Sequence, residues 1–508
     1  MTAESTPERP PALATPGVPG RTAKGLRSGS VGLLGSVALG LSSVAPAYSI
    51  AVTLGFVTLV AGHFAPAALL LGFVPILLTA FAFRELNREM PDCGTTFVWS
   101  TRAFGPYLGW LSGGWVVQCA TVIAMTALGR VGASYLLDLL GLHSLAANGY
   151  AVAGVAVLLL AAATAVAYRG IHFAASVQYV LLGLQLLALL AFGIAAFAGD
   201  GGAGAETPSL SWLNPFGFDG LDSFVQAVLL CLFIYWGWDA LLTVNEETTD
   251  AGRTPGKAAV ISTFVLLATY LFTAFAAISF AGTGTEGLGL GSPENAADVL
   301  ATLAPPVVGD ALAKVIQLAV CVSAVSALLT ALVGTSRATL SMAAHGALPQ
   351  RFARIHPRFG TPAFGTVFFG VAAAATLTLL TIVSTDFLGD VVLCVGLLIA
   401  FYYGITGLAC VWHFRHQLRD SARGFLLKGL FPLLGSLMMV AAVGRSAYDM
   451  YDPEYGATSI GGVGGVFLLG IGSIVLGALV LLAARKRFAA FFRDGRTAVT
   501  DQVVTLDD

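Results

Sequence analysis

Two interrupted apolar runs hold the residue types able to do chemistry inside a membrane. The first, GLSSVAPAYSI, places Ser42, Ser43, Val44, Ala45, Pro46 and Ala47 within an otherwise continuous apolar stretch. The second, FVQAVLLCLFIYWGWDALLTVNEE from Phe224 to Glu247, carries Phe233, Tyr235, Gly237, Trp238 and Asp239 near its middle. Proline lacks an N–H, clashes with the carbonyl four residues back, here that of Ser42, and drives Ala45 out of the α region. The helix is therefore expected to break across Ser42 to Ala45 and restart with Pro46 at its first position, where proline is favoured. Two opposed half-helix ends result. N–H groups around Ala47 and Tyr48, at the positive end of a dipole, suit a carboxylate, and orphan carbonyls near Ser42 suit an ammonium or Na⁺. A proline kink satisfied by a serine, or a close-packing glycine, is the plainer reading of either break alone. Neither accounts for Asp239, which costs about 2.5–3.5 kcal/mol at a helix centre unless partnered. Paired breaks in two halves of one apolar chain point to a secondary transporter's substrate site.

These breaks must be positioned by membrane helices. The 508 residues are 56% hydrophobic and 11% charged, with mean hydropathy +0.83, far from the composition of a soluble domain. The pattern predicts an all-α polytopic membrane protein with twelve spans between residues 32 and 484. Lys and Arg bias loops toward the cytoplasm. With the N-terminus inside, all but Arg130, Lys314 and Arg445 of the 26 Lys and Arg residues fall on that side, so both termini are expected to be cytoplasmic. Arg130 is read as pairing with Asp138 or reaching the outer interface. Residues 1–30, rich in Pro, Ala, Gly, Thr and Ser, read as a disordered cytoplasmic tail and 485–508 as a second tail. The six cysteines stand singly in or beside apolar spans and read as small buried hydrophobes rather than disulfides or metal ligands. No metal site or cofactor is expected: His413 and His416 lie among arginines without an acid or third ligand. Without a phosphate-binding glycine loop, an ATP-driven pump is excluded for this chain alone.

Three blocks also resemble the amino acid–polyamine–organocation permeases. FIYWGWDALLTVNEETTDAGRTPGKA is similar to that family's sixth helix and following loop, keeping Phe233, Gly237, Trp238, Asp239, Glu246, Glu247 and Arg253. RATLSMAAHGALPQRFARIHPRFGTP, from Arg337 to Pro362, resembles the exit of the eighth helix, and FRELNREMPDCGTTFVWSTRAFGPYLGWLSGGW, from Phe83 to Trp115, the loop into the third. The resemblance implies a five-helix repeat over 31–200, an inverted five-helix repeat over 201–414 (a LeuT-like 5+5 core) and two further helices over 415–484. It assigns Phe233 the place of the aromatic that closes over substrate. Where many relatives carry a coupling lysine, Gln185 stands here; Ser323 and Ser326 face it in sequence and could offer hydroxyl oxygens to a cation.

The reading is a secondary transporter, not an enzyme, in the cytoplasmic membrane, moving an amino acid or related organic amine by alternating access, with H⁺ or Na⁺ as coupling ion. Its partners are the small-molecule substrate and the lipid bilayer, with no nucleic acid; the oligomeric state is left open. Substrate contact is expected from Ser42 to Ala47 and from Phe233, Tyr235, Gly237 and Trp238, and coupling or gating from Phe233, Asp239, Gln185, Ser323 and Ser326. The alternatives are an amine- or polyamine-specific importer or exchanger, and a channel or transporter-like sensor.

Overall fold

The structure is a computed structural model that describes residues 22, 24–202, 204–384 and 387–501, without the side chains of 171–177 and 497–501. Among the described residues, fifteen α-helices of eight residues or more organise it: α1 Leu33–Val44, α2 Pro46–Ala61, α3 Ala65–Glu89, α4 Thr96–Phe104, α5 Val117–Leu139, α6 Gly149–Arg169, α7 Ile171–Ala198, α8 Leu221–Tyr235, α9 Thr254–Ala281, α10 Val299–Ala344, α11 Ala363–Val383, α12 Leu388–Phe414, α13 Phe431–Asp449, α14 Gly465–Arg487 and α15 Ala489–Asp501. Among the described residues, eleven helical stretches are long and apolar enough to cross a membrane. The first, Leu33–Glu89, has 57 residues, well over twice the roughly 20 that one crossing needs. It is broken at Gly62, where φ is +54°.

Helix burial separates centre from rim. In α12, 83% of the most apolar window is buried by protein, whereas in α14 the figure is 17%. A helix apolar on every side is satisfied by either protein or lipid, so α12 is a core element and α14 a peripheral one. Around α12 pack α13, α8 and α5; α10 lies against α5, α7 and α2; α9 covers α1 and α3. Two departures from regular geometry matter for the site. A π-helical stretch, Trp110–Val116, leads into α5, and its Gly113 sits against the backbone of Thr96 and Phe97 so closely that an added Cβ would lie 2.3 Å from the Phe97 nitrogen. Beyond α8 the chain re-forms only as a 3₁₀ segment, Trp238–Glu247, interrupted at Val244.

The stretches read as tails differ from expectation where they are described. Leu26 and Lys24 are buried, and the backbone N–H groups of Ser30 and Val31 donate to the Glu247 carbonyl at 2.7 and 3.1 Å, so the end of the N-terminal segment is packed rather than loose. Ion pairs, which composition does not register, hold it. Residues 1–21, 23 and 502–508 of the two tails lie outside the described residues. In α15, Phe491 and Phe492 are buried, Phe491 stacking on Phe97. Arg130 lies over the Phe387 ring, 5.1 Å from its centroid, a cation–π contact.

Candidate functional site

Ala45 is where the first helix breaks. It adopts a left-handed conformation (φ 55°, ψ 69°), with Pro46 as the first residue of α2. The interruption is one residue wide rather than spread over Ser42 to Ala45, because α1 stays helical through Val44 and the Ser49 hydroxyl donates to the Val44 carbonyl at 2.7 Å. The second break is Gly237, with φ +114°. A Cβ there would lie 2.8 Å from the Ser43 carbonyl oxygen, so the two breaks touch. Only a residue without a side chain permits both the dihedral and the approach.

One face of a cavity is formed by these breaks. Ser43, Trp236, Gly237, Asp239, Ala240 and Thr243 line it from the two interrupted helices. Gln118, Thr121, Ala124 and Leu128 line it from one face of α5, Ala327, Ala331, Gly334, Thr335 and Ala338 from α10, and Tyr402 from α12. The i, i+3, i+6, i+10 spacing on α5 is that of a single helical face, presented after the wide π turns that precede it. Asp239 accepts a hydrogen bond from the Tyr402 hydroxyl at 2.8 Å, and that hydroxyl accepts one from the Trp236 indole N–H at 2.5 Å. No Lys, Arg or His among the described residues forms an ion pair with Asp239.

Of the residues expected to meet substrate, Ser43 and Gly237 line this cavity, as does Asp239 from the coupling set. The others stand behind it. Ser42 is fully buried with its hydroxyl unpartnered among the described residues, and Val44, Ala45, Pro46 and Ala47 are buried at the junction. Phe233 is buried and outside the lining in this conformation. Tyr235 packs on Phe73 and Tyr270, and Trp238 lies between Phe83 and Tyr403. Trp236, rather than Trp238, is the indole at the cavity. Gln118, Thr121, Thr243, Thr335 and Tyr402 went unnoticed in the sequence; the i, i+3 polar pair Gln118 and Thr121 inside the apolar run WVVQCATVIAMT was the available signal.

Gln185 and Ser323 are brought together, but as an interhelical link. The Ser323 hydroxyl donates to Gln185 Oε1 at 2.7 Å and accepts from the Tyr48 backbone N–H at 3.3 Å. The N–H of Tyr48, expected to be free for a carboxylate, is thus engaged. Ser326 is paired with Gln178, whose Nε2 donates to the Ser326 carbonyl at 3.3 Å.

One turn beyond the cavity lies a charged cluster. The Lys24 ammonium is 2.7 Å from Asp92 and 2.6 Å from Glu246, with the Cys93 thiol at 3.7 Å. Asp92 also accepts from the Ser341 hydroxyl at 2.5 Å and lies 3.2 Å from His345 Nε2. Alongside, Arg337 pairs with Glu247, both side chains 2% exposed. Asp92, Cys93 and Glu246 offer donor atoms within 4.8 Å of one another, and Lys24 supplies the positive charge at their centre. Burial works against the Lys24 charge, but the neighbouring Asp92 and Glu246 carboxylates outweigh it and hold the ammonium well above the ordinary lysine value. Burial opposes the Asp92 charge too, and Lys24 and His345 outweigh it, holding that carboxyl well below the usual range. Because Thr95, Thr243 and Ala338 line the cavity while Asp92, Glu246, Glu247 and Ser341 lie within a turn of them in sequence, this cluster stands next to one end of it.

The signs of those shifts fix a pH response. Lys24, raised, contributes stability below its unfolded value near 10.4 and loses it as pH rises further; Asp92, lowered, contributes above about 3.9 and loses it as pH falls through its folded value. Lys24→Met is therefore expected to lower thermal stability most at neutral to mildly alkaline pH, by an amount that shrinks as pH falls and the stranded, buried Asp92 carboxyl takes up a proton. A melting series over that range checks it; a difference that vanished near neutrality would refute the pairing.

A cavity at two apposed helix breaks within an apolar helical bundle, with a carboxylate in its wall, is the arrangement of a secondary transporter. The chain belongs to the amino acid permease family: the family profile described as "Amino acid permease" matches residues 31–446. An uncharacterized transporter of Mycobacterium tuberculosis is 30% identical over 357 residues, covering 68% of this chain and 72% of that one. The methylthioribose transporter of Bacillus subtilis is 28% identical over 336 residues, covering 62% and 68%. The crystal structure of MhsT in complex with L-phenylalanine shares the fold, with a TM-score of 0.58 at 18% identity over 79% of this chain and 98% of that one.

Proposed function

We propose that this permease takes up an amino acid or a related organic amine across the cytoplasmic membrane by alternating access, with twelve crossings, both termini cytoplasmic and the Lys24 cluster as the cytoplasmic seal. The observation that carries the reading is the contact of Gly237 with the Ser43 carbonyl at the wall of one cavity that also holds Asp239. The carbonyl end of the first half-helix at this wall suits a substrate ammonium. The distribution of Lys and Arg supports the orientation.

Asp239 is the proposed coupling residue, taking up and releasing a proton as the cavity changes sides. The side-chain oxygens of Gln185, Ser323 and Ser326 are less suited to Na⁺, since they are engaged with one another, with Gln178 and with Tyr48. Counterflow of labelled amino acids in proteoliposomes tests the carrier: trans substrate should accelerate exchange, and a flux indifferent to it would mark a channel. In the same vesicles Asp239→Asn should retain exchange and lose accumulation driven by an imposed pH gradient. Full pH-driven accumulation by that variant would remove Asp239 from coupling.

A further inference from the structure

We infer that Gln118 reads a neutral hydrogen-bonding group on the substrate, so that the cargo carries a hydroxyl or carboxamide besides its amino group. This rests on the permease reading above. Gln118 lines the cavity from α5, and both its Oε1 and Nε2 are shielded from solvent without a hydrogen-bond partner among the described residues. A buried amide left unpaired at both ends is costly, and such groups in folded proteins are nearly always satisfied. The neighbouring hydroxyls do not satisfy it. Thr121 donates to the Val117 carbonyl at 2.8 Å, Thr243 to Ala240 at 2.6 Å, Thr335 to Ala331 at 2.9 Å, and Tyr402 to Asp239 at 2.8 Å.

The ligand chemistry follows from the carboxamide. It offers an acceptor oxygen and two N–H donors. With the substrate's ammonium held by the half-helix carbonyls at the break, as proposed above, a carboxylate at Gln118 would only accept and would leave Oε1 unpaired, and a second ammonium would only donate and leave Nε2 unpaired. A hydroxyl or a primary amide does both. An aliphatic side chain would leave the whole amide unsatisfied, and a site built around a hydrogen bond rejects an analogue that lacks it far more strongly than an apolar pocket rejects an extra group.

The test uses shape-matched pairs, threonine against valine and asparagine against leucine, as competitors of transport by the full chain in proteoliposomes. The polar member of at least one pair should compete about ten- to hundredfold better, the worth of one or two buried hydrogen bonds. Gln118→Met should erase that preference, and its unliganded melting temperature should equal or exceed the wild type's, because the amide bonds nothing in the empty protein. Preference retained in Gln118→Met would overturn the inference. So would aliphatic members winning in the wild type, or a variant that no longer folds, which would make the amide structural. Absence of counterflow with every amino acid in the wild type would instead overturn the permease reading, and this one with it.

Discussion

Replacing Gly237 with alanine is expected to reduce transport by more than tenfold while the protein still inserts and folds. The added Cβ would stand 2.8 Å from the Ser43 carbonyl oxygen and 3.1 Å from the Val44 nitrogen, backbone atoms that cannot rotate aside. At φ +114° an L residue is strained as well, at about 1–3 kcal/mol. Both costs are relieved by moving the two breaks apart, which displaces Ser43, Trp236 and Asp239 from one shared wall. Initial uptake rates in proteoliposomes, with a melting curve as control for folding, measure this. Wild-type kinetics in Gly237→Ala would show that the contact between the breaks is incidental to transport.

Arg337→Met is expected to lower stability by about 3–5 kcal/mol, the usual consequence of leaving one partner of a buried ion pair alone. Its guanidinium meets Glu247 where both side chains are 2% exposed, and it also donates to the Val333 carbonyl at 3.3 Å. Methionine fills similar volume but strands the Glu247 carboxylate, whose own backbone carbonyl anchors Ser30 and Val31. The double variant Arg337→Met with Glu247→Gln should recover much of the loss, since it removes the stranded charge. Detergent-solubilised yield and melting temperature of the two singles and the double form a mutant cycle. Additive losses would show that the pair does not interact.

The break positions were readable because Pro46 and Gly237 act through the local backbone: one lacks a donor and the other accepts a dihedral that side chains forbid. Which neighbours of a break face the cavity was not readable. Trp236 and Trp238 flank Gly237 symmetrically in sequence, and only the left-handed turn followed by a 3₁₀ segment sends one indole to Tyr402 and the other between Phe83 and Tyr403. Gln118 was hidden for a related reason: the π stretch ahead of α5 sets the face it presents, and hydrophobic patterning does not register such an insertion. Lys24 was hidden by its surroundings. A segment of low hydrophobicity reads as loose chain, yet one ammonium meeting two carboxylates distant in sequence is enough to dock it.

The enclosure of Cys93 beside Lys24 gives the molecule a chemical clock. Its thiol is fully buried, and burial together with the nearby Glu246 carboxylate pushes its pKa well above the ordinary cysteine value, so in the sealed state almost no reactive thiolate meets solvent. Five other cysteines share the chain, four of them buried and Cys119 half-buried. Cys93 alone among the six meets Lys24, in the cluster proposed above as the seal that alternating access undoes. The rate at which a small alkylating reagent consumes it therefore counts openings of that end, with no engineered label and no change to the cavity.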